Sequence, residues 1–266
     1  RYFVKVVNAL SKYVVAADLH STSTSPSNLP LAGSTQYALS GGTDGSALSQ
    51  TDYTNALSAF DRIVNPIVLN IPDAAYVSDL TLSTNLSGAA VTYASSRTDA
   101  FAIVDVQNGY ASASLAQTAF NSIKTAYAAS STGNNAAAYW PWVGIPDALS
   151  AIPGAIRYQA PGAIMVGQYL ATDASRGVFK TPAGLGNQVA LAVNTAYRFT
   201  NSELDSINTS TTPINAIRFV PGAGIVVMGG RTMDNTPGNR YINIKRSLIY
   251  IEKQATQLTQ FAVFEN

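Results

Sequence analysis

Apolar residues fall along this chain at two periods, one near 3.6 and one near 2, and the switches between them mark out its elements. Tyr2–Val7 and Tyr13–Ala17 read as two short strands, with Asn8 and Ser11 as turn formers between them. Ser21–Ser27 is a Ser/Thr/Pro loop. From Ser49 the period lengthens. Tyr53, Ala56, Leu57 and Phe60 fall at i, i+3, i+4, i+7, which predicts a helix entered from the polar cluster at 49–52. Ile67–Ile71 then predicts a buried strand stopped by Pro72. Val77, Leu80, Leu86, Ala90 and Tyr93 predict a second helix, Phe101–Val106 another strand, and Ala116, Phe120, Ile123 and Tyr127 a third helix. Tyr139–Val143 has strand character, but Pro141 lacks a ladder donor and predicts a sheet edge or a strand start.

Further along, Pro161 sits where a first-turn proline would, with Ile164, Tyr169 and Leu170 as the buried side of its helix. Ile217–Val220 and Ile225–Met228 read as paired strands about the turn Pro221-Gly222-Ala223-Gly224. Tyr241, Ile244, Leu248, Ile251, Ala255 and Leu258 keep a 3-4 spacing throughout, which predicts a long helix with Leu248 and Ile251 in the core. Phe261–Phe264 reads as a last short strand. The alternation predicts an α/β fold, a mixed β-sheet flanked by helices with an additional β-rich N-terminal segment, in one large or two intimately packed domains. The expected division is an N-terminal β-rich segment at 1–48, an α/β core at 49–200, and C-terminal strands and a long helix packing on the core at 201–266.

Composition narrows the function. The 266 residues carry a net charge of +1, and 12% are charged, about half the usual share of ~25%. Such a surface has no phosphate-neutralising footprint, so no nucleic-acid partner is expected. No apolar run approaches the ~18–20 residues of a membrane-crossing helix, so no membrane insertion is expected. Cysteine is absent and histidine occurs once, as His20. That removes disulfides, thiolate metal sites and cysteine nucleophiles, and leaves no pair of imidazoles for a metal.

Candidate chemistry is thin. Gly222-Ala223-Gly224 lacks the third glycine and the following helix of a dinucleotide fingerprint, and no Gly-Lys-Ser/Thr follows the Gly41–Gly45 run. Asp44, Asp73, Asp105, Asp147 and Asp173 stand near predicted strand or loop ends, where carboxylates of a metal or glycosidase site can converge, but aspartate is also favoured in turns and caps. His20, beside Ser21 and Ser23, reads as an exposed loop residue. No catalytic constellation, cofactor or metal site is expected. An α/β ligand-binding or hydrolytic domain using loop aspartates is the alternative class.

One run is recognisable. Thr172-Asp173-Ala174-Ser175-Arg176-Gly177-Val178-Phe179-Lys180-Thr181-Pro182 resembles the Thr-Asp-x-x-Arg-Gly-Val-aromatic-Lys-x-Pro stretch of contractile tail sheath proteins. Upstream, Tyr139–Val143 with Pro146-Asp147 is similar to that family's Tyr-Pro-Trp-Val…Pro-Asp. Downstream, Ile214–Arg218, Gly224–Thr232, Arg240–Arg246 and Phe261–Asn266 are similar to further family blocks in order. Phe179, Ala216, Met228 and Gly230 depart from the residues usual there.

The resemblance implies a structural protein of a virion, with other sheath subunits, a tail tube protein and a baseplate as partners. Such subunits stack around the tube and, when triggered, shift as near-rigid bodies to drive it through an envelope, as in genome ejection by myoviruses. The setting implied is a tail sheath assembled in the host cytoplasm. Asp173, Arg176, Arg231, Arg240 and Arg246 are then the candidate structural or inter-subunit contacts. Asp173 and Arg176 stand at salt-bridge spacing for a helix. The family continues at both ends into arms that pair with neighbours, whereas this sequence opens at Arg1 and stops at Asn266. A core fragment lacking those arms is the expectation, soluble and monomeric alone.

Overall fold

A computed structural model describes residues 2–13, 15–16, 45–127 and 133–264. It divides into two compact units, Arg1–Ser46 and Ala47–Asn266. In the first unit Tyr2–Leu10 is a helix, α1, and not the expected strand. The run of β-branched valines suggested β structure, yet Phe3, Val6, Val7 and Leu10 are also spaced i, i+3, i+4, i+7, and the helical period wins. Of the expected strand Tyr13–Ala17, the described residues 13, 15 and 16 are not in a strand. His20, Asp44, the 21–27 loop and most of the 41–45 glycine run lie outside the described residues.

The second unit is mixed α/β, as the alternation predicts. Its helices are α2 (Gln50–Leu57), α3 (Asp73–Tyr76), α4 (Leu80–Arg97), α5 (Ala113–Asn121), α6 (Gly162–Arg176), α7 (Asn201–Thr209) and α8 (Ile242–Leu258). Its strands are β1 (Ile67–Asn70), β2 (Ala100–Asp105), β3 (Ala136–Trp140), β4 (Val143–Pro146), β5 (Ile156–Gln159), β6 (Asn194–Thr195), β7 (Ile214–Val220) and β8 (Gly224–Val227). The main sheet runs β1-β2-β3-β7-β8, parallel except for the antiparallel β7–β8 hairpin that the sequence announced. A small antiparallel sheet, β5-β4-β6, stands beside it.

Capping explains where several helices begin. Ser49 and Asp52 form a capping box at α2, and Thr200 and Glu203 form another at α7. Strand β2 is buried along its whole length, as expected of a strand covered on both faces. Alternate residues divide between two cores. Ala102, Val104, Ala138 and Trp140 face Val91, Ala116, Phe120 and Ile207 on one side. Phe101, Ile103 and Tyr139 face Met165 and Tyr169 of α6 and Ile242 and Ile249 of α8 on the other. Trp140 is a core anchor, with Tyr197 and Phe199 rings at 4.8 and 5.3 Å.

Three further expectations need correction. Pro141 is at neither a sheet edge nor a strand start: it lies between β3 and β4, and β3 is central. Its missing donor is harmless there because the ladder has already ended at Trp140. Phe261–Phe264 belongs to a 3-10 turn, Gln260–Phe264. Leu170, expected on the buried side of α6, is exposed, and Met165 takes that place beside Tyr169.

Candidate assembly surface

Helices α6 and α8 cover one face of the sheet, and charged groups tie them together. Arg246 donates two hydrogen bonds to Asp173, Nη1 to Oδ1 at 2.8 Å and Nη2 to Oδ2 at 2.5 Å. Its guanidinium also lies 4.8 Å from the Tyr169 ring centroid. The Tyr169 and Tyr139 hydroxyls share a 2.7 Å hydrogen bond, and burial pushes both phenols up from their usual range. Lower on α8, Lys253 donates to Asp99, which also pairs with Arg97, at 2.9 and 2.7 Å. Burial alone would raise the Asp99 carboxyl, but the hydrogen bonds from Lys253 and Arg97 outweigh it and hold the carboxyl below its usual range.

Of the five candidate contacts, the structure joins two. Asp173 pairs with Arg246 and not with Arg176. Arg176 is exposed on the last turn of α6, with no hydrogen bond or ion pair from its side chain among the described residues. Arg231 is bound through its backbone, whose N–H donates to Asn215 Oδ1 and whose carbonyl accepts from Asn215 Nδ2, each at 2.8 Å. Its guanidinium lies over the Tyr241 ring at 5.6 Å. The Arg240 backbone carbonyl accepts from the Thr232 N–H, while its Nε is buried with no hydrogen-bond partner among the described residues.

The apolar stripe of α8 is the largest departure from expectation. Leu248 and Ile251 are 45% and 59% exposed, while Ile242 and Ile249 on the other side are 0% and 5% exposed. The 3-4 spacing of the stripe is real, but the sheet takes the second face, Ile242, Arg246 and Ile249, and that packing brings Arg246 to Asp173. Beside α8 runs a groove of about 530 Å³ lined by Val178, Phe179, Tyr250 and Ile251. Phe179 and Leu170 are both exposed nearby on the α6 side.

Sequence reasoning missed Asp105 as a structural group. It stands at the end of β2, buried, where its Oδ1 accepts the Gly162 N–H at 2.6 Å and its Oδ2 accepts from Asn70 at 3.0 Å. It caps α6 because Pro161, the residue at the cap position, has no side-chain oxygen to do so. Burial outweighs both hydrogen bonds and lifts the carboxyl to about 6. The other aspartates do not join it. Asp73 accepts from the Tyr53 hydroxyl, Asp147 accepts from the Leu149 N–H, and Asp173 is taken by Arg246. Among the described residues no group of three or more His, Cys, Asp or Glu side chains could hold a metal ion. No described helix is long and apolar enough to cross a membrane.

No family model and no curated protein matches the chain. Solved structures do. A chain of the anti-feeding prophage helical sheath in its contracted state matches with a TM-score of 0.60 at 25% identity, over 86% of this chain and 55% of that one. A chain of the anti-feeding prophage baseplate matches with a TM-score of 0.60 at 25% identity, over 80% and 51%. A chain of an extracellular contractile injection system, the PVC sheath complex in its contracted state, matches with a TM-score of 0.51 at 28% identity, over 62% and 42%. The resemblance to contractile sheath proteins carried by Thr172–Pro182 and its flanking blocks is borne out in three dimensions. The chain spans about half the length of these solved chains.

Proposed function

We propose that this chain is the core of a contractile sheath subunit, a structural protein that polymerises around an inner tube and shortens to drive the tube through a target envelope. The observation that carries this reading is the match to a contracted helical sheath at 25% identity over 86% of the chain. Its partners are further copies of the subunit, a tube protein and a baseplate, and the baseplate match supports the last of these. The setting is a phage-tail-like particle, built in the host cytoplasm and carried as part of a virion or released as an injection machine. The subunit needs no catalytic step, because a lattice assembled in an extended state stores the energy that contraction releases.

The geometry suits such a part. Motion as a rigid body requires a core that does not deform, and two ion-pair sites tie α8 to α6 and to the sheet rim. A surface poor in charge can slide and re-form contacts without stranding desolvated ions. Arg176, exposed and unpaired among the described residues, is a contact for a neighbouring subunit, whereas Asp173 and Arg246 serve inside their own. Electron microscopy of the parent protein tests the reading: rings or tubes support it, and dispersed particles at every concentration overturn it.

A further inference from the structure

The exposed stripe of α8 is stricter than an ordinary amphipathic face. Tyr241, Ile244, Leu248, Ile251, Ala255 and Leu258 follow one another at steps of 3, 4, 3, 4 and 3, the a/d repeat of a coiled-coil seam. At 100° per residue this seam lies roughly 150° around the helix from the Ile242–Arg246–Ile249 face that rests on the sheet. A surface helix with two apolar faces leaves one of them for something else to cover. All six seam residues are exposed.

We propose that α8 packs antiparallel against α8 of a second copy of this chain. The sequence of the seam is self-complementary in that direction. With the two-fold axis between Ile249 and Tyr250, Leu248 meets the partner's Ile251, Ile244 meets the partner's Ala255, and Tyr241 meets the partner's Leu258. The outer two layers each join a larger residue to a smaller one, the central layer joins two side chains of equal size, and the axis repeats all three. The flanking charges then choose the direction. In an antiparallel pair the e positions face each other, which sets Lys245 against the partner's Glu252 on both sides of the axis. Neither side chain has an ion-pair partner within its own chain among the described residues. A parallel pair would instead set Glu252 against Ser247, with no opposite charge to answer it. Phe179, exposed across the groove from Ile251, adds apolar area at the rim. This inference goes beyond the sheath reading and does not depend on it. It replaces the expectation that the chain is monomeric alone.

Sedimentation of the whole chain from micromolar concentration to ~100 µM tests it, with charge exchanges at half-buried Lys245 and exposed Glu252, neither of which belongs to the core. The wild-type chain is expected to dimerise. Lys245→Glu and Glu252→Lys should each weaken the dimer at least about tenfold, by setting like charges together on both sides of the axis. The double exchange should restore it. An equimolar mixture of the two single variants should also pair, because each then answers the other's charge at both contacts. A wild-type chain that stays monomeric over this range overturns the proposal. So does a dimer indifferent to either single exchange, which places the contact elsewhere. Failure of the mixture to pair overturns it as well, and points to a helix of another protein as the occupant of the seam.

Discussion

Arg246 grips the Asp173 carboxylate through two parallel hydrogen bonds, joining α8 to α6 across 73 residues of chain, with the Tyr169 ring beneath the guanidinium. The fork geometry of arginine matches the two carboxylate oxygens, and lysine could make only one of these bonds. Arg246 is 9% exposed and Asp173 19%, so both keep some contact with water. The cost of breaking the pair is therefore below the ~3–5 kcal/mol of a deeply buried one. Arg246→Ala is expected to lower unfolding free energy by ~2–3 kcal/mol, part of it from lost packing on Tyr169. Urea denaturation of Arg246→Ala, Asp173→Ala and the double variant would give a coupling energy of at least ~1 kcal/mol. Additive effects would show that the two side chains act separately.

The two faces of α8 predict opposite results for similar substitutions. Ile242→Ala and Ile249→Ala empty space between α8 and the sheet and should each cost ~2–5 kcal/mol. Leu248→Ala and Ile251→Ala remove exposed groups and should stay within ~0.5 kcal/mol at dilutions where the chain is monomeric. Equal losses on both faces in a denaturation series would contradict this burial pattern.

Acidity should act through Asp105. Its carboxyl titrates near 6 when folded, above the usual 3.8, so between those values the folded chain binds the proton that the unfolded chain releases. The stabilising contribution is complete below about pH 4 and is lost as pH rises through 6, an effect of roughly 2–3 kcal/mol. Asp105→Asn keeps an acceptor for the Gly162 N–H and removes the titration. Its unfolding free energy should lack this slope between pH 4 and 7, where the wild type shows it. Matching slopes in the two proteins would place the titrating group elsewhere.

The sequence made the repeating parts of this fold legible and left the choices between partners hidden. Strand β2 and the β7–β8 hairpin followed from apolar runs and from turn residues at 221–224, signals that are local in the chain. Asp173 and Arg246 were both singled out, but a spacing of three favoured Arg176 as the partner, and only the packing of α8 on the sheet brings Arg246 to it. The same holds for the α8 stripe. Periodicity reveals that an apolar face exists and cannot say which of two faces the sheet will take. The stretch Tyr2–Leu10 satisfied both periods at once, so local pattern could not decide between strand and helix.

Gly162 gives the last test, because it fixes how closely α6 approaches the sheet. A Cβ built on this residue would lie 2.3 Å from Asp105 Oδ2 and 2.4 Å from Asn70 Nδ2. Both atoms belong to groups held in place: Asn70 donates to the Ile103 carbonyl at 2.9 Å, and Asp105 holds the Gly162 N–H itself. Gly162→Ala therefore has no free end of a flexible chain to push aside. Helix propensity alone would favour alanine by ~1 kcal/mol, so the sign of the result separates the two effects. The clash should win and cost ~1–3 kcal/mol, since the helix must withdraw and its cap must stretch. Pairing the change with Asn70→Ala, which vacates one side of the contact, should recover part of the loss. A gain in thermal stability from Gly162→Ala alone would mean that α6 can shift outward freely, and the close seat of its first turn on Asp105 and Asn70 would be refuted.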